Sequence, residues 1–175
     1  MQKATFAGGC FWCLVPPYAD LKGVKEIVSG FAGTNDEGKP NYYDVAYDKT
    51  DYREAVQITF DEKQVSYKEL VDIFWRQIDP TDEGGQFYDR GNSYKTAIYF
   101  HDEKQKKIAE ATKKEIQKEF KEPLATEIIK FGAFYKAEEE HQDFHKKNPV
   151  RYNLYRIVSG KQSYLERVWK NKIKN

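Results

Sequence analysis

A chain of 175 residues fits one domain, residues 1–175, and is long enough to bury a core without metal or disulfide support. The formal net charge of +1, with 33% charged and 39% hydrophobic residues, excludes the basic footprint of a nucleic-acid binder. No run approaches the roughly 20 apolar residues of a membrane span, and the N-terminus reaches Cys10 too soon to hold a cleaved signal peptide. A cytoplasmic protein is therefore expected, and there two cysteines three apart point to redox or metal chemistry rather than a structural staple.

Lys3 to Ala7 reads as a short strand and Val24 to Ser29 as a second, weaker one. Residues 30–53, with Gly30, Gly33, Gly38 and Pro40, read as a long loop. Ala55 to Phe60 alternates apolar and polar side chains, the pattern of a half-buried strand. Ser66 and Glu69 form a capping box that opens a helix bearing Leu70, Val71, Phe74 and Ile78 and stopping near Asp79-Pro80. A Gly-containing loop over residues 81–93 leads to a strand from Thr96 to Phe100. Glu103 to Phe120 has Ile108, Ile116 and Phe120 on one stripe, with Glu103–Lys107 and Glu110–Lys114 pairs on the outer face, and Pro123 marks its end. Thr126 to Phe131 is a further strand; the chain beyond residue 135 is aromatic and turn-rich, with a final helix from Ser163. This order favours an α/β (α+β) fold, a ferredoxin-like two-layer sandwich with helices packed on a mixed β-sheet.

Gly8-Gly9-Cys10-Phe11-Trp12-Cys13 carries the chemistry. Two glycines between a strand and a helix allow a tight turn and close backbone approach. Cys10 then sits near a helix N-terminus, where unpaired N–H groups favour a thiolate and a lowered pKa. Pro16 and Pro17 suit a first helical turn, so the helix starts late or is kinked after Cys13. Cys13, on the same face one turn on, is within disulfide range, and with no third cysteine any intramolecular disulfide joins Cys10 to Cys13. The alternatives are two cysteines packed as small hydrophobes, and half of a zinc site.

At this motif the chain resembles the peptide methionine sulfoxide reductases of the A type, whose hallmark Gly-Cys-Phe-Trp stands here as Gly9-Cys10-Phe11-Trp12. Pro40-Asn41-Tyr42 and Tyr52-Arg53-Glu54-Ala55-Val56 resemble the family's next blocks, Ile78-Asp79-Pro80-Thr81 and Gly85 to Gly91 the middle, and Ser93 to Tyr99 continues it. Phe134-Tyr135, Ala137-Glu138, His141-Gln142 and Lys147-Asn148-Pro149 match the late block.

The resemblance implies reduction of the S epimer of methionine sulfoxide, free or protein-bound, a repair step after oxidative damage. It implies that Cys10 attacks the sulfoxide sulfur while Glu54, as a neutral acid, gives a proton to the oxygen. Strand parity agrees, since Glu54 shares a face with Val56, Ile58 and Phe60 if the strand includes it. The alternative is a charged residue at a frayed end, facing water. Tyr42 and Tyr94 match tyrosines that hydrogen-bond the sulfoxide oxygen, and Phe11 and Trp12 match rings that hold the substrate methyl. Core packing is the other reading of those rings. Asp89 and His141 match contacts to the substrate backbone, though Asp89 alone would read as a turn residue. Cys13 would condense with the Cys10 sulfenic acid, and an external dithiol, thioredoxin, would reset the pair; no cofactor is implied, and a monomer is expected.

Departures from the family lie at Thr50-Asp51-Tyr52, where many members have Thr-Gly-His, at Glu140, where many have Tyr, and in the lack of distal C-terminal cysteines. A thioredoxin-like oxidoreductase is the enzyme alternative, but Phe-Trp stands between the cysteines where Gly-Pro is usual. A metal site is the non-enzyme alternative, on the spacing of Glu138, His141 and His145.

Overall fold

A computed structural model describes residues 1–36 and 38–172. In chain order the elements are β1 (Gln2–Ala7), α1 (Pro16–Ala19), β2 (Val24–Gly33), α2 (Tyr42–Ala46), β3 (Arg53–Phe60) and α3 (Tyr67–Trp75). A two-strand hairpin follows, β4 (Gly85–Gln86) and β5 (Asp89–Arg90), then β6 (Ala97–Phe100), α4 (Glu103–Gln117), β7 (Glu127–Lys130) and β8 (Ala133–Lys136). The chain closes with α5 (Phe144–Lys147), α6 (Pro149–Val158) and α7 (Lys161–Lys172). Six strands form one sheet in the order β7-β6-β1-β3-β2-β8. All neighbours are antiparallel except β6 and β7, which α4 joins by a crossover, so the fold is α+β with a mixed sheet.

Side-chain alternation assigns the two faces. Val56, Ile58 and Phe60 of β3, with Ala4 and Phe6 of β1, join Leu70, Val71, Phe74 and Trp75 of α3 in the main core. Phe6 stacks on Phe74 with ring centres 5.1 Å apart, and the Trp75 indole N–H donates to Thr112 Oγ1 at 3.0 Å, tying α3 to α4. On the opposite face Gly30, Ala55, Ala7 and Ala97 line up across four strands. Those small side chains leave room for Phe134 to lie against Gly30, where an added Cβ would come within 2.5 Å of its ring.

Several elements differ from the sequence-based reading. Strand β2 continues through Gly33, because β8 pairs with its second half and buries Phe31 and Ala32. Strand β3 begins at Arg53 and is buried on both faces along most of its length, having β1 on one side and β2 on the other. The expected long loop contains α2, whose N-terminal Asn41 side chain accepts from Asp44 N–H at 2.9 Å. Helix α3 stops at Trp75 and α4 at Gln117, each shorter than its apolar stripe, because Ile78 and Phe120 reach the core from the following turns. Residues beyond 135 hold three helices among the described residues, α5, α6 and α7, rather than one, with Pro149 at the start of α6. No helix among the described residues is long and apolar enough to cross a membrane.

The capping box forms as expected: Ser66 Oγ accepts from Glu69 N–H at 3.2 Å and Glu69 Oε2 accepts from Ser66 N–H at 2.8 Å. Ser66→Ala is expected to lower stability by about 1 kcal/mol, seen as a lower urea midpoint at unchanged slope.

Candidate active site

Strand β1 delivers the chain into the Gly8-Gly9 turn. Gly9 has φ +76°, and a Cβ there would lie 2.6 Å from Cβ of Gln86, so only glycine fits. The Gln86 amide is fixed in turn, accepting from Asp79 N–H at 2.9 Å and donating to the Asp79 carbonyl at 2.8 Å. Cys10 follows as the cap of a single 3₁₀ turn, Phe11–Cys13, in which Cys13 N–H donates to the Cys10 carbonyl at 3.1 Å. Both cysteines are free thiols; Cys10 is partly exposed and Cys13 is buried.

The expected lowering of the Cys10 pKa is not met. A turn of three residues carries almost no macrodipole, and α1 starts afresh at Pro16. Burial pushes the Cys10 thiol well above its ordinary range, and the facing Glu54 carboxylate pushes it further.

Glu54 lies on the core face of β3, opposite Phe31 of β2, and is 1% exposed. Its Oε2 accepts from Phe11 N–H at 3.1 Å, which ties the acid to the cysteine turn. Burial nevertheless pushes its carboxyl up to about 8, so it is mainly protonated at neutral pH. A proton on Glu54 removes the charge that opposes a thiolate on Cys10 and leaves burial as the main opposing cause. Tyr42, at the start of α2, and Tyr94, at the end of a 3₁₀ turn Asn92–Tyr94, face Glu54; burial, then Glu54 itself, holds both phenols protonated. The Tyr94 turn is pinned by Asp48, whose carboxylate accepts from Asn92 N–H at 3.0 Å and Ser93 N–H at 2.8 Å.

An aromatic wall adjoins these groups. His141 stacks on Tyr42 at 4.4 Å and on Trp12 at 5.9 Å, and Phe11 stands 5.3 Å away. The Trp12 indole N–H donates to His141 Nδ1 at 3.2 Å, so neutral His141 carries its proton on Nε2, which has no hydrogen-bond partner among the described residues. A cavity of about 420 Å³ opens between Trp12, Tyr42, His141, Glu138, Glu140 and Arg151. Asp89 lies on β5 rather than in a loop, and its carboxylate accepts from the Tyr155 hydroxyl. All nine residues singled out from the sequence thus gather around one centre: Cys10, Cys13, Glu54, Tyr42, Tyr94 and Asp89 as an electrostatically coupled set, Phe11, Trp12 and His141 as the adjoining rings.

The sequence reading missed the contribution of the C-terminal helices. Phe144 stacks on Trp12 at 3.7 Å, Tyr155 meets it edge-on at 5.9 Å, and Cys13 packs with Phe144 and Tyr152. The available signal was Pro149 at a helix start followed by Tyr152 and Tyr155 on adjoining positions of one face. Gln142 was also missed: its amide bridges Ser29 N–H, the Ser29 carbonyl and the Ala137 carbonyl, fixing His141 against β2. At the departures, Tyr52 is buried and its hydroxyl donates to the Asn35 carbonyl at 3.2 Å, bracing the loop from within. Glu140 is exposed, with its carboxylate 3.7 Å from His141 Nε2. His141 and His145 belong to different elements, so the helical ligand spacing is not realised, and no set of three potential ligands is grouped for a metal among the described residues.

A thiol beside a neutral buried acid, with a second thiol one turn on, defines a site for thiol redox chemistry on an α+β scaffold. A family model described as peptide methionine sulfoxide reductase matches residues 2–173. The chain is 52% identical over 173 residues to the peptide methionine sulfoxide reductase MsrA of Bacillus licheniformis, covering 98% of this chain and 95% of that one. Among solved structures it resembles reduced Mxr1 of Saccharomyces cerevisiae, at a TM-score of 0.79 and 30% identity over 85% of this chain and 86% of that one. Mxr1 in complex with Trx2 shares the fold at a TM-score of 0.57 and 22% identity, covering 82% of this chain and 84% of that one. The chain belongs to the peptide methionine sulfoxide reductase family.

Because folding raises the Glu54 pKa, the folded protein keeps a proton that the unfolded chain releases above pH 4.5, and stability falls as pH rises from there to about 8. Glu54→Gln has no such proton. Its stability relative to wild type is expected to rise across that window, as read by urea unfolding at about pH 5 and about pH 8.

Proposed function

We propose that this chain is a peptide-methionine (S)-S-oxide reductase that acts, as one catalytic domain, on the S epimer of free or protein-bound methionine sulfoxide. The observation that carries the reading is the neutral Glu54 carboxyl hydrogen-bonded to the backbone of the cysteine turn. A sulfoxide oxygen must be protonated as its bond to sulfur breaks, and Glu54 supplies that proton. The Cys10 thiolate attacks the sulfoxide sulfur and Glu54 protonates the oxygen; the hydroxyl then passes to the Cys10 sulfur as the methionine S–O bond and the new bond between the two sulfurs both break. Methionine leaves with its sulfur reduced, and Cys10 is left oxidised as the sulfenic acid. Tyr42 and Tyr94, both held protonated, donate to the same oxygen as negative charge develops on it.

Phe11 and Trp12 hold the substrate methyl, and their apolar faces keep water from the reacting sulfur. Asp89 and His141 take the backbone of the methionine residue; for Asp89 this means exchanging its Tyr155 partner for a substrate N–H. Cys13 then attacks the Cys10 sulfur, releasing water and leaving a disulfide that a thioredoxin-type dithiol reduces. The turn spacing supports this pairing, and thiols kept reduced by a dithiol suit the cytoplasm. The sheet supports a ferredoxin-like core: β6-β1-β3-β2 reproduces a βαββαβ order, with β7 and β8 added at the two edges.

Counting methionine formed per enzyme from each sulfoxide epimer tests the reading. Wild type should convert the S epimer, Cys10→Ser should form none, and turnover by Cys10→Ser or equal use of the R epimer would overturn it. Cys13→Ser is expected to release one methionine per enzyme and then stop with thioredoxin as reductant; normal cycling would remove Cys13 as the resolving thiol. Glu54→Gln should slow the first turnover by about 10²–10⁴-fold, measured by rapid quench, and an unchanged rate would remove it from the chemistry.

A further inference from the structure

The cavity beside Trp12 is lined by polar groups that the scheme above does not use. His141 is only 6% exposed, and its Nε2–H has no hydrogen-bond partner among the described residues. The Glu140 carboxylate stands 3.7 Å from it, beyond hydrogen-bond reach. A buried donor left unpaired is costly, so this one is set for an acceptor from outside. Burial holds the imidazole below its ordinary pKa, against the pull of Glu140 and Glu138, so the ring offers a donor but no charge. The positive charge comes from Arg151. Its guanidinium lies 5.7 Å over both the Trp12 and the Phe144 rings and has no ion-pair partner among the described residues. Arg151 stands in the first turn of α6, and Asn148, which caps that turn and lines the same cavity, makes no side-chain hydrogen bond to close it. The negative charges come from another element: Glu140, and Glu138, whose Oε1 accepts from Tyr42 N–H at 3.3 Å.

We infer that this cavity reads the charged main-chain ends of free methionine sulfoxide: Arg151 and the His141 Nε2–H take its α-carboxylate, and Glu140 takes its α-ammonium. The inference rests on the proposed reduction of methionine sulfoxide at Cys10 and names the groups that favour the free amino acid. Trp12 joins the two places. The substrate methyl is proposed to lie against Trp12, the indole N–H of Trp12 is bonded to His141 at 3.2 Å, and Arg151 covers its ring. A sulfoxide held there has its main-chain atoms at the cavity. Within a chain those atoms are a neutral C=O and N–H. A carbonyl satisfies the His141 donor but gives the guanidinium no charge to pair with. A free carboxylate does both, since its two oxygens suit the planar fork of an arginine.

The two carboxylates decide against a simple anion or a simple cation. Glu138 and Glu140 act against an isolated carboxylate in the cavity, and Arg151, already over the rings, acts against a basic side chain in the same place. A zwitterion meets both signs at once. Its ammonium has three N–H donors, enough for Asp89 and Glu140 together. Because many family members have Tyr where Glu140 stands, the ammonium half of the subsite belongs to this chain's own sequence.

The test uses four compounds, each as the S sulfoxide: free methionine sulfoxide, its amide, its N-acetyl acid and its N-acetyl amide. Wild type should show the highest kcat/KM with the free amino acid and the lowest with the doubly blocked compound. Arg151→Gln should raise KM about tenfold for the two compounds with a free carboxylate and leave the two amides within about twofold. Arg151→Lys, which keeps the charge without the fork, should recover part of the loss. Glu140→Gln should raise KM about threefold for the two compounds with a free amine, as suits an exposed pair. Both side chains are exposed, so the variants should fold, with circular dichroism as the check. Added salt should narrow the differences among the compounds in wild type more than in Arg151→Gln. If Arg151→Gln changes all four KM values alike, or none, the inference is overturned. If wild type reduces none of the four, the reductase reading fails instead, and binding of the same compounds to wild type and Arg151→Gln, followed by tryptophan fluorescence, still decides the subsite.

Discussion

The site is built around a carboxylic acid placed where water cannot reach it. Glu54 stands on a strand that has a neighbour on each side, on the face covered by the helices; a backbone N–H from the cysteine turn donates to it, and the Tyr94 hydroxyl also hydrogen-bonds it. Bonds from neutral donors do not offset the desolvation of a carboxylate here, so the group keeps its proton. The interaction works in both directions. The strand register fixes the acid, and the acid fixes the Phe11 amide, so the Cys10 turn is held against the carboxyl. The register is robust because a slip of one residue would turn every side chain of β3 to the other face and bring Arg53 into the core in place of Glu54.

The arrangement resolves a conflict that the sequence suggested in a different form. From the motif, a helix N-terminus looked like the source of thiolate character. In the structure the turn is too short for that, and burial of Cys10 works against ionisation. Desolvation raises the pKa of both groups. A proton on Glu54 removes one of the two main causes that oppose a thiolate on Cys10, and burial remains as the other.

Legibility in the sequence followed the length scale of the signal. The capping box at Ser66 and the Gly-Gly turn before Cys10 are local, and both formed as read; β3 formed as a strand, though buried on both faces rather than half-buried, and a short 3₁₀ turn stands where a helix start was expected after Cys10. Glu54 was legible by parity once the strand was extended by two residues, which the alternation alone did not require. Strand β8 has four residues and gains its identity only by pairing with the far half of β2, so neither could be read without the other. The packing of α5 and α6 over Trp12 was hidden for the same reason. Their aromatic residues make no repeating pattern among themselves; they match rings 130 or more positions earlier in the chain. The departures at Asp51 and Tyr52 looked like a change of loop shape, and the buried Tyr52 ring shows how an aromatic can brace that loop instead.

These layers divide the work of the site unequally. The acid, the two tyrosines and Cys10 stand on or beside the sheet, where hydrogen bonds from Asp48, Gln86 and Phe11 fix the backbone. The second thiol is different: it lies under Phe144 and Tyr152, and Tyr155 of the same C-terminal cover holds Asp89. The cover therefore meets the sheet-borne part of the site through a phenol–carboxylate bond and ring contacts rather than through a continued strand. Few contacts of that kind need to break for α5 and α6 to move apart from the sheet, whereas the acid and the cysteine turn are tied to strands paired on both sides.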